Sequence, residues 1–167
     1  MWKIVLLSLS AIMFFGFVAL NVCKFGLLDC YSAYGVKWRK EPHQLNWWII
    51  VTVLSALLIV PVLLDNSEGS LWQFTGFLAP ISLVLVGNTP DYKENKVSFW
   101  LHQIGAWGAV VMILLYIIMI PKLIWIVTIC IGVALILTWI FGWKYWTMFL
   151  EMGMYAAIYS VLFATIL

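Results

Sequence analysis

The hydrophobic positions of the chain form long, unbroken stretches that are separated by short polar segments. No Asp, Glu, Lys or Arg occurs in residues 4–23, 42–64, 69–90, 97–121 and 123–143. Each stretch holds at least 20 residues, and a helix needs about 20 apolar residues to cross the hydrocarbon core of a bilayer. A shorter stretch, 152–167, extends back through Glu151 to Tyr145. The pattern therefore predicts six transmembrane helices.

The fold class predicted is all-α: a polytopic membrane protein in which one domain, residues 1–167, forms a bundle of six transmembrane helices. The stretches are continuously apolar, whereas the strands of a membrane β-barrel alternate between apolar and polar residues, so a barrel is excluded. Tryptophans cluster near the predicted helix ends, as is typical of an aromatic belt at the membrane interface. The predicted bounds are about 3–22, 46–64, 71–87, 97–120, 123–142 and 145–166.

Composition supports a membrane protein. Hydrophobic residues make up 65% of the chain and charged residues only 10%, whereas a soluble domain carries about 25% charged residues. The first apolar stretch is longer than the core of a signal peptide, which indicates an uncleaved first helix. No basic stripe is present, so nucleic acid is not expected as a partner.

Six crossings would place both termini on one side of the membrane. Seven of the nine Lys and Arg residues fall on the opposite side, in the segments 23–45, 88–96 and 143–144, which we call the loop-rich side. The positive-inside rule makes this side cytoplasmic and the termini non-cytoplasmic. Cys23 and Cys30 allow the contrary interpretation, because a disulfide between them would need an oxidising compartment. Two free thiols are the alternative.

Two ionisable residues, His102 and Glu151, fall inside predicted spans, where such groups are costly and usually face the bundle interior. His102 shares a helix face with small residues that allow close helix packing: Ser98, Gly105, Ala106 and Ala109. Glu151 belongs to a stripe of residues four apart that we expect to face inward: Thr147, Glu151, Tyr155 and Tyr159.

The two ionisable residues are at matched depth. His102 is six residues beyond Lys96 and Glu151 is seven beyond Lys144, so both lie about 10 Å below the loop-rich side. They are the candidate catalytic residues if the protein is an enzyme, which the sequence leaves uncertain. The candidate ligand-binding set adds neighbours and loop residues that would cover the site: His102, Gln103, Glu151, Tyr155, Asp29, Ser32 and Asp91.

Three interpretations of the histidine and the glutamate stay open. The two residues form a packing pair, or they line a functional pocket for a lipid headgroup, a proton or an ion, or they never meet and extend to the interface. A metal set of His102, Glu151, Asp91 and His43 is conceivable, but the sequence has no ligand spacing typical of zinc. We therefore predict no metal and no cofactor, and no motif for a nucleophile or a phosphate loop is present.

Several short motifs resemble the DRAM/Frag-like membrane proteins and their bacterial relatives of unknown function. The motifs are "DCYSAYG" at 29–35, "VGNTPDY" at the end of the third predicted helix, "HQIGA" in the fourth, and Glu151 in the last. The resemblance implies six helices and contact with lipid, since eukaryotic members are linked to GPI-lipid remodelling and autophagy. Tyr31 and Met152 depart from the family pattern, as does the orientation indicated by the charges.

The leading functional hypothesis is lipid binding or lipid-headgroup remodelling at a polar pocket near the loop-rich side. The alternatives are a small transporter or channel for protons, ions or solutes, and a non-catalytic subunit of a membrane complex. The partners expected are membrane lipids, further copies of the chain or other membrane proteins.

Overall fold

The computed structural model describes residues 1–41, 45–118 and 123–167. The described residues form helices and turns, with no strand among them, so the all-helical prediction is confirmed for this part of the chain. Candidate ligand His43 and the Pro121–Lys122 turn lie outside the described residues. The helices are α1 (Trp2–Phe25), α2 (Ser32–Arg39), α3 (Leu45–Asn66), α4 (Gln73–Gly87), α5 (Lys96–Ile118), α6 (Ile124–Phe141) and α7 (Trp146–Ile166).

Five of these helices, α1, α3, α5, α6 and α7, are long and apolar enough to cross a membrane. The protein is therefore a multi-pass membrane protein by the length and composition of its helices. The remaining apolar helix, α4, has 15 residues and is about 22 Å long at 1.5 Å per residue. The hydrocarbon core is about 30 Å thick, so α4, which corresponds to the third predicted span, falls short of the length that a crossing requires.

The helices pack as a row and a hairpin. In the row, α3 packs against α1 and α4, and α4 packs against α5; α6 and α7 form the hairpin, whose α7 contacts α1, α3 and α5. Lys3 forms an ion pair with Asp65, and Asn66 donates a hydrogen bond to Thr165 at 2.9 Å. The first turn of α1, the end of α3 and the last turn of α7 therefore meet at one end of the bundle, which we call the terminal end.

Close packing of α4 on α5 explains the small residues that accompany His102. A Cβ atom at Gly105 would stand 2.7 Å from the backbone oxygen of Ser82, and one at Gly108 would stand 2.9 Å from the hydroxyl of the same serine. Only glycine allows the two helix backbones to approach so closely. The expectation that the face of His102 is packed agrees with this geometry, since His102 and Ala109 are also buried.

The helix α2 was not among the predicted elements, because the segment 23–45 reads as a polar loop. Tyr34 and Trp38 are buried on one side of α2, and their spacing is that of a helix face. Trp38 donates a hydrogen bond to Asn21 of α1 at 2.5 Å, and Tyr34 donates one to the carbonyl of Gly26 at 2.9 Å. Gly26 has a φ of 74°, which glycine adopts without strain at the turn that leads from α1 to α2.

We predict that Gly105→Ala lowers the stability of the purified protein, because the added methyl group would collide with the backbone of α4. Overpacking of this kind costs about 1–3 kcal/mol, measurable as a lower thermal unfolding midpoint in detergent. Gly132→Ala on α6 is the matched control, since nothing lies within 4 Å of a Cβ there. If the two variants unfold at the same temperature, the close α4–α5 contact is refuted.

Candidate functional site

The polar centre of the molecule is a pair of hydrogen bonds between the first loop and the start of α7. The backbone N–H of Tyr31 donates to Oε2 of Glu151 at 2.6 Å, and the N–H of Met148 donates to the carbonyl of Asp29 at 3.0 Å. Each bond satisfies an N–H group that the beginning of a helix leaves without an internal partner: Met148 in the first turn of α7, and Tyr31 just before α2. We call these two bonds the loop clamp.

Glu151 also lines a cavity of about 350 Å³ that lies between α3, α4, α5 and the α6–α7 hairpin. Its second oxygen, Oε1, accepts no hydrogen bond from a described residue, so it remains available to a molecule inside the cavity. Most of the wall is apolar and includes Ala79, Ala109, Ile113, Ile131 and Ile158. The polar residues of the wall are near the loop clamp or on the stripe of α7: Tyr31, Ser32, Thr147, Glu151 and Tyr155.

The cavity opens towards the side of the bundle. Trp107 of α5 and Trp146 of α7 belong to its wall, yet 67% of Trp107 and 51% of Trp146 remain exposed. The mouth therefore lies between α5 and α7, on the surface that lipid chains would cover. Towards the terminal end the cavity is closed by an apolar cluster next to Ile113, which is made of Ile117, Ile126, Val127, Ala157 and Val161.

The inward stripe of α7 agrees with its prediction from residue spacing. Thr147, Glu151 and Tyr155 contribute to the cavity wall, and Tyr159 is buried with its hydroxyl 2.6 Å from that of Ser10. The ring of Tyr155 packs against Phe14 with 3.9 Å between centroids, and its hydroxyl has no hydrogen-bond partner among the described residues. Tyr155 therefore presents a free hydroxyl close to the carboxyl group of Glu151.

His102 is buried in a different setting. Its Nδ1 lies 3.1 Å from the hydroxyl of Thr89, and its ring stacks on Tyr92 with 4.0 Å between centroids and planes 13° apart. The hydroxyl of Tyr92 is 3.5 Å from that of Ser32. His102 thus holds the 88–95 segment against α5. No hydrogen bond joins it to Glu151, and it does not line the cavity.

The shared site of His102 and Glu151 that the depth count suggests is therefore divided in the structure. Glu151, Tyr155 and Ser32 come together at the cavity. Asp29 is exposed and contributes its backbone carbonyl to the loop clamp. The other three candidates lie outside the cavity wall: His102 in its own contact, Gln103 half-buried on α5, and Asp91, whose carbonyl accepts from the N–H groups of Glu94 and Asn95. A ligand-binding role for these three stays a prediction.

Cys30 lies between Ser32, which lines the cavity, and Tyr92, which stacks on His102. Its sulfur is 3.4 Å from the hydroxyl of Ser32 and 3.8 Å from that of Tyr92. Burial raises the pKa of the Cys30 thiol above its ordinary value, and the negative charge of Glu151 raises it further. Burial also raises the pKa of the Tyr92 phenol. Both groups are therefore protonated at neutral pH. All three cysteines are free thiols in the structure.

Sequence reasoning missed Tyr92, the backbone of Tyr31 and the two tryptophans at the mouth. The role of Tyr31 depends on its N–H group, which every non-proline residue has, so no side-chain signal could identify it. Tyr92 belongs to the "VGNTPDY" motif, but its stacking on His102 depends on how the 88–95 segment folds back. Trp146 was indistinguishable from the other tryptophans of the aromatic belt. Trp107 lies inside the fourth predicted span, where nothing in the sequence sets it apart from the apolar residues around it.

No family model, no curated protein and no solved structure matches the chain. The resemblance to the DRAM/Frag-like proteins therefore stays a prediction from short motifs. Among the described residues, no group of three or more His, Cys, Asp or Glu side chains could hold a metal ion.

We predict that alkylation of Cys30 is slow at neutral pH, because only the thiolate reacts and its raised pKa keeps the thiol protonated. In a Cys23→Ser/Cys130→Ser background, the rate should rise at a higher pH than for a free small thiol such as N-acetylcysteine. Adding Glu151→Gln removes the charge that raises the pKa of Cys30, so the rise should shift to lower pH. Identical pH profiles with and without Glu151 would show that the charge of Glu151 does not act on the Cys30 thiol and would refute this prediction.

Proposed function

We propose that the protein binds a lipid in the lateral cavity, with an apolar chain between α5 and the α6–α7 hairpin and a polar end at Glu151. The observation that carries this proposal is the shape and polarity of the cavity: an apolar wall, a mouth at the side of the bundle, and polar groups concentrated at one end. Pockets of about 300–1,000 Å³ that are mostly apolar with a few convergent polar groups are typical binding sites.

The amphipathic character of the cavity matches a lipid at both ends. The wall beyond Tyr155 consists of aliphatic side chains such as Ile113, Ile131 and Ile158, which gain from contact with a hydrocarbon chain. Glu151, Ser32 and Tyr155 supply hydrogen-bonding groups for the head. Because Trp107 and Trp146 border the mouth, a lipid could move in from the bilayer without its chain passing through water.

Binding is favoured over conduction by the way the cavity ends. The apolar cluster of Ile117, Ile126, Val127, Ala157 and Val161 stands between the cavity and the terminal end. A proton or ion path would need polar groups or water through this region. Lipid contact is also what the resemblance to the DRAM/Frag-like proteins implies. For chemical remodelling of the bound lipid, the site offers Glu151 as the candidate acid or base.

We further propose that α4 completes six crossings, with the loop-rich side in the cytoplasm and both termini on the other side. The support is the apolar outer surface of α4, where large side chains are exposed: Phe74, Phe77, Leu78 and Leu85. A helix shorter than the bilayer is accommodated by local thinning of the membrane at a modest cost. The positive-inside rule supplies the orientation.

The orientation can be tested with single cysteines in a background that lacks Cys23, Cys30 and Cys130. We expect a membrane-impermeant maleimide to label Lys93→Cys only from the cytoplasmic side and Glu68→Cys only from the opposite side, since both positions are exposed. Labelling of both positions from the same side would show that α4 does not cross.

Filling the cavity should prevent lipid binding. We expect Ala106→Trp to weaken binding of a fluorescent long-chain alcohol to the purified protein at least about tenfold, or about 1.4 kcal/mol, because the indole occupies the space of the chain. Val111→Trp on the same helix is the matched control, as Val111 is exposed and does not line the cavity. The control should bind like the unmodified protein.

Equal binding by Ala106→Trp and the unmodified protein would show that the alcohol binds elsewhere and would refute the proposed site. A thermal unfolding midpoint close to that of the unmodified protein is the check that Ala106→Trp is folded.

A further inference from the structure

Among the described residues, the wall at the polar end of the cavity has an acidic side chain and no basic one. In the part of the chain that the structure describes, Glu151 is the only acidic residue of the cavity wall, and the wall contains no Lys or Arg. Asp29 in the first loop acts electrostatically on Glu151 and is also acidic. The wall thus offers carboxylate and hydroxyl groups to a ligand and no cation that could balance them.

Only one of the two oxygens of the Glu151 carboxyl group accepts a hydrogen bond from a described residue. Its Oε2 accepts the N–H of Tyr31 at 2.6 Å, whereas Oε1 takes no hydrogen bond from a described residue. A carboxylate in an apolar cavity is costly unless a cation or further donors accompany it. Oε1 can therefore accept a hydrogen bond from a donor group of the ligand.

We propose that the lipid of this site carries a primary amine in its head, and that the ammonium group donates to Oε1 of Glu151. This inference rests on the proposed lipid-binding function and specifies the ligand class. An ammonium group has three donors, so it could also donate to hydroxyl oxygens of the wall. Ser32 and Tyr155 supply such oxygens.

An anionic head is disfavoured by the same geometry. A phosphate or carboxylate placed at Oε1 would bring like charges together in a water-poor setting, where the repulsion is poorly screened. Several basic side chains of the loop-rich side are exposed on the surface of the molecule rather than in the cavity wall: Lys37, Arg39, Lys93, Lys96 and Lys144. A zwitterionic lipid could therefore place its amine at Glu151 and an anionic group outside.

The test compares three single-chain ligands of equal length with the purified protein in neutral-lipid nanodiscs: dodecylamine, dodecanol and dodecanoate. Each ligand displaces a fluorescent long-chain alcohol, and the Ala106→Trp variant corrects for partitioning into the bilayer. We expect the amine to bind at least about tenfold more tightly than the alcohol, as close charge pairs in binding sites are worth about 1.5 kcal/mol or more. The carboxylate should bind most weakly.

The variant Glu151→Gln isolates the carboxyl group, because the amide oxygen can still accept the N–H of Tyr31. We expect it to reduce the preference for the amine over the alcohol, measured as the ratio of the two affinities within the same variant, by about tenfold. Thr147→Lys is a second variant at the same end of the cavity. Its ammonium group would take the place of the ligand amine and remove the preference even where Glu151→Gln does not fold.

The outcomes separate this inference from the function on which it rests. If the alcohol and the amine bind with equal affinity, or if Glu151→Gln keeps the full preference for the amine, the amine-headed ligand is refuted and lipid binding stands. Preferential binding of dodecanoate also refutes it. If none of the three ligands binds above the level of Ala106→Trp, lipid binding itself is refuted.

Discussion

A carboxyl group within an apolar bundle has to find hydrogen-bond donors, and Glu151 finds its donor in the backbone of the first loop. The N–H of Tyr31 donates to Glu151, and the carbonyl of Asp29 accepts from Met148 one turn earlier in α7. Together these bonds fix the loop, and with it the start of α2, on the end of the α6–α7 hairpin. The cavity lies beneath that junction, so Tyr31 and Ser32 line its polar end only while the loop clamp is formed.

Further contacts connect the other segments of the loop-rich side to this junction. Trp38 ties α2 to Asn21 of α1, and Arg39 pairs with Glu94 at 2.7 Å, which connects α2 to the segment before α5. His102 holds the same segment from the other side through Thr89 and Tyr92. The two ionisable residues of the spans therefore have different roles. His102 holds the 88–95 segment against α5, whereas Glu151 holds the first loop and faces the cavity.

The sequence predicts those parts of the structure that depend on periodicity. Long apolar stretches indicate the long helices, and residues four apart on α7 indicate the inward stripe that ends at Glu151. The small residues next to His102 indicate the close contact of α4 and α5. These features are local, because they repeat along one helix and need no knowledge of its neighbours.

The parts that the sequence could not predict depend on contacts between distant segments. Glu151 and the N–H of Tyr31 are 120 residues apart, and a backbone donor has no signature among the side chains. The matched depth of His102 and Glu151 suggested a pair, but depth along two helices does not fix the direction in which each side chain points. Thr89 and Tyr92 supply the partners of His102 from a loop whose path is set by tertiary packing.

We propose that the cavity beneath the loop clamp holds a lipid with its head at Glu151. The most direct measurement is a high-resolution structure of the protein in lipid nanodiscs, examined between α5 and α7. We expect elongated density that passes Trp107 and Trp146 and ends within hydrogen-bond distance of Oε1 of Glu151. A cavity filled by protein side chains, or one that holds only water around Glu151, would contradict it.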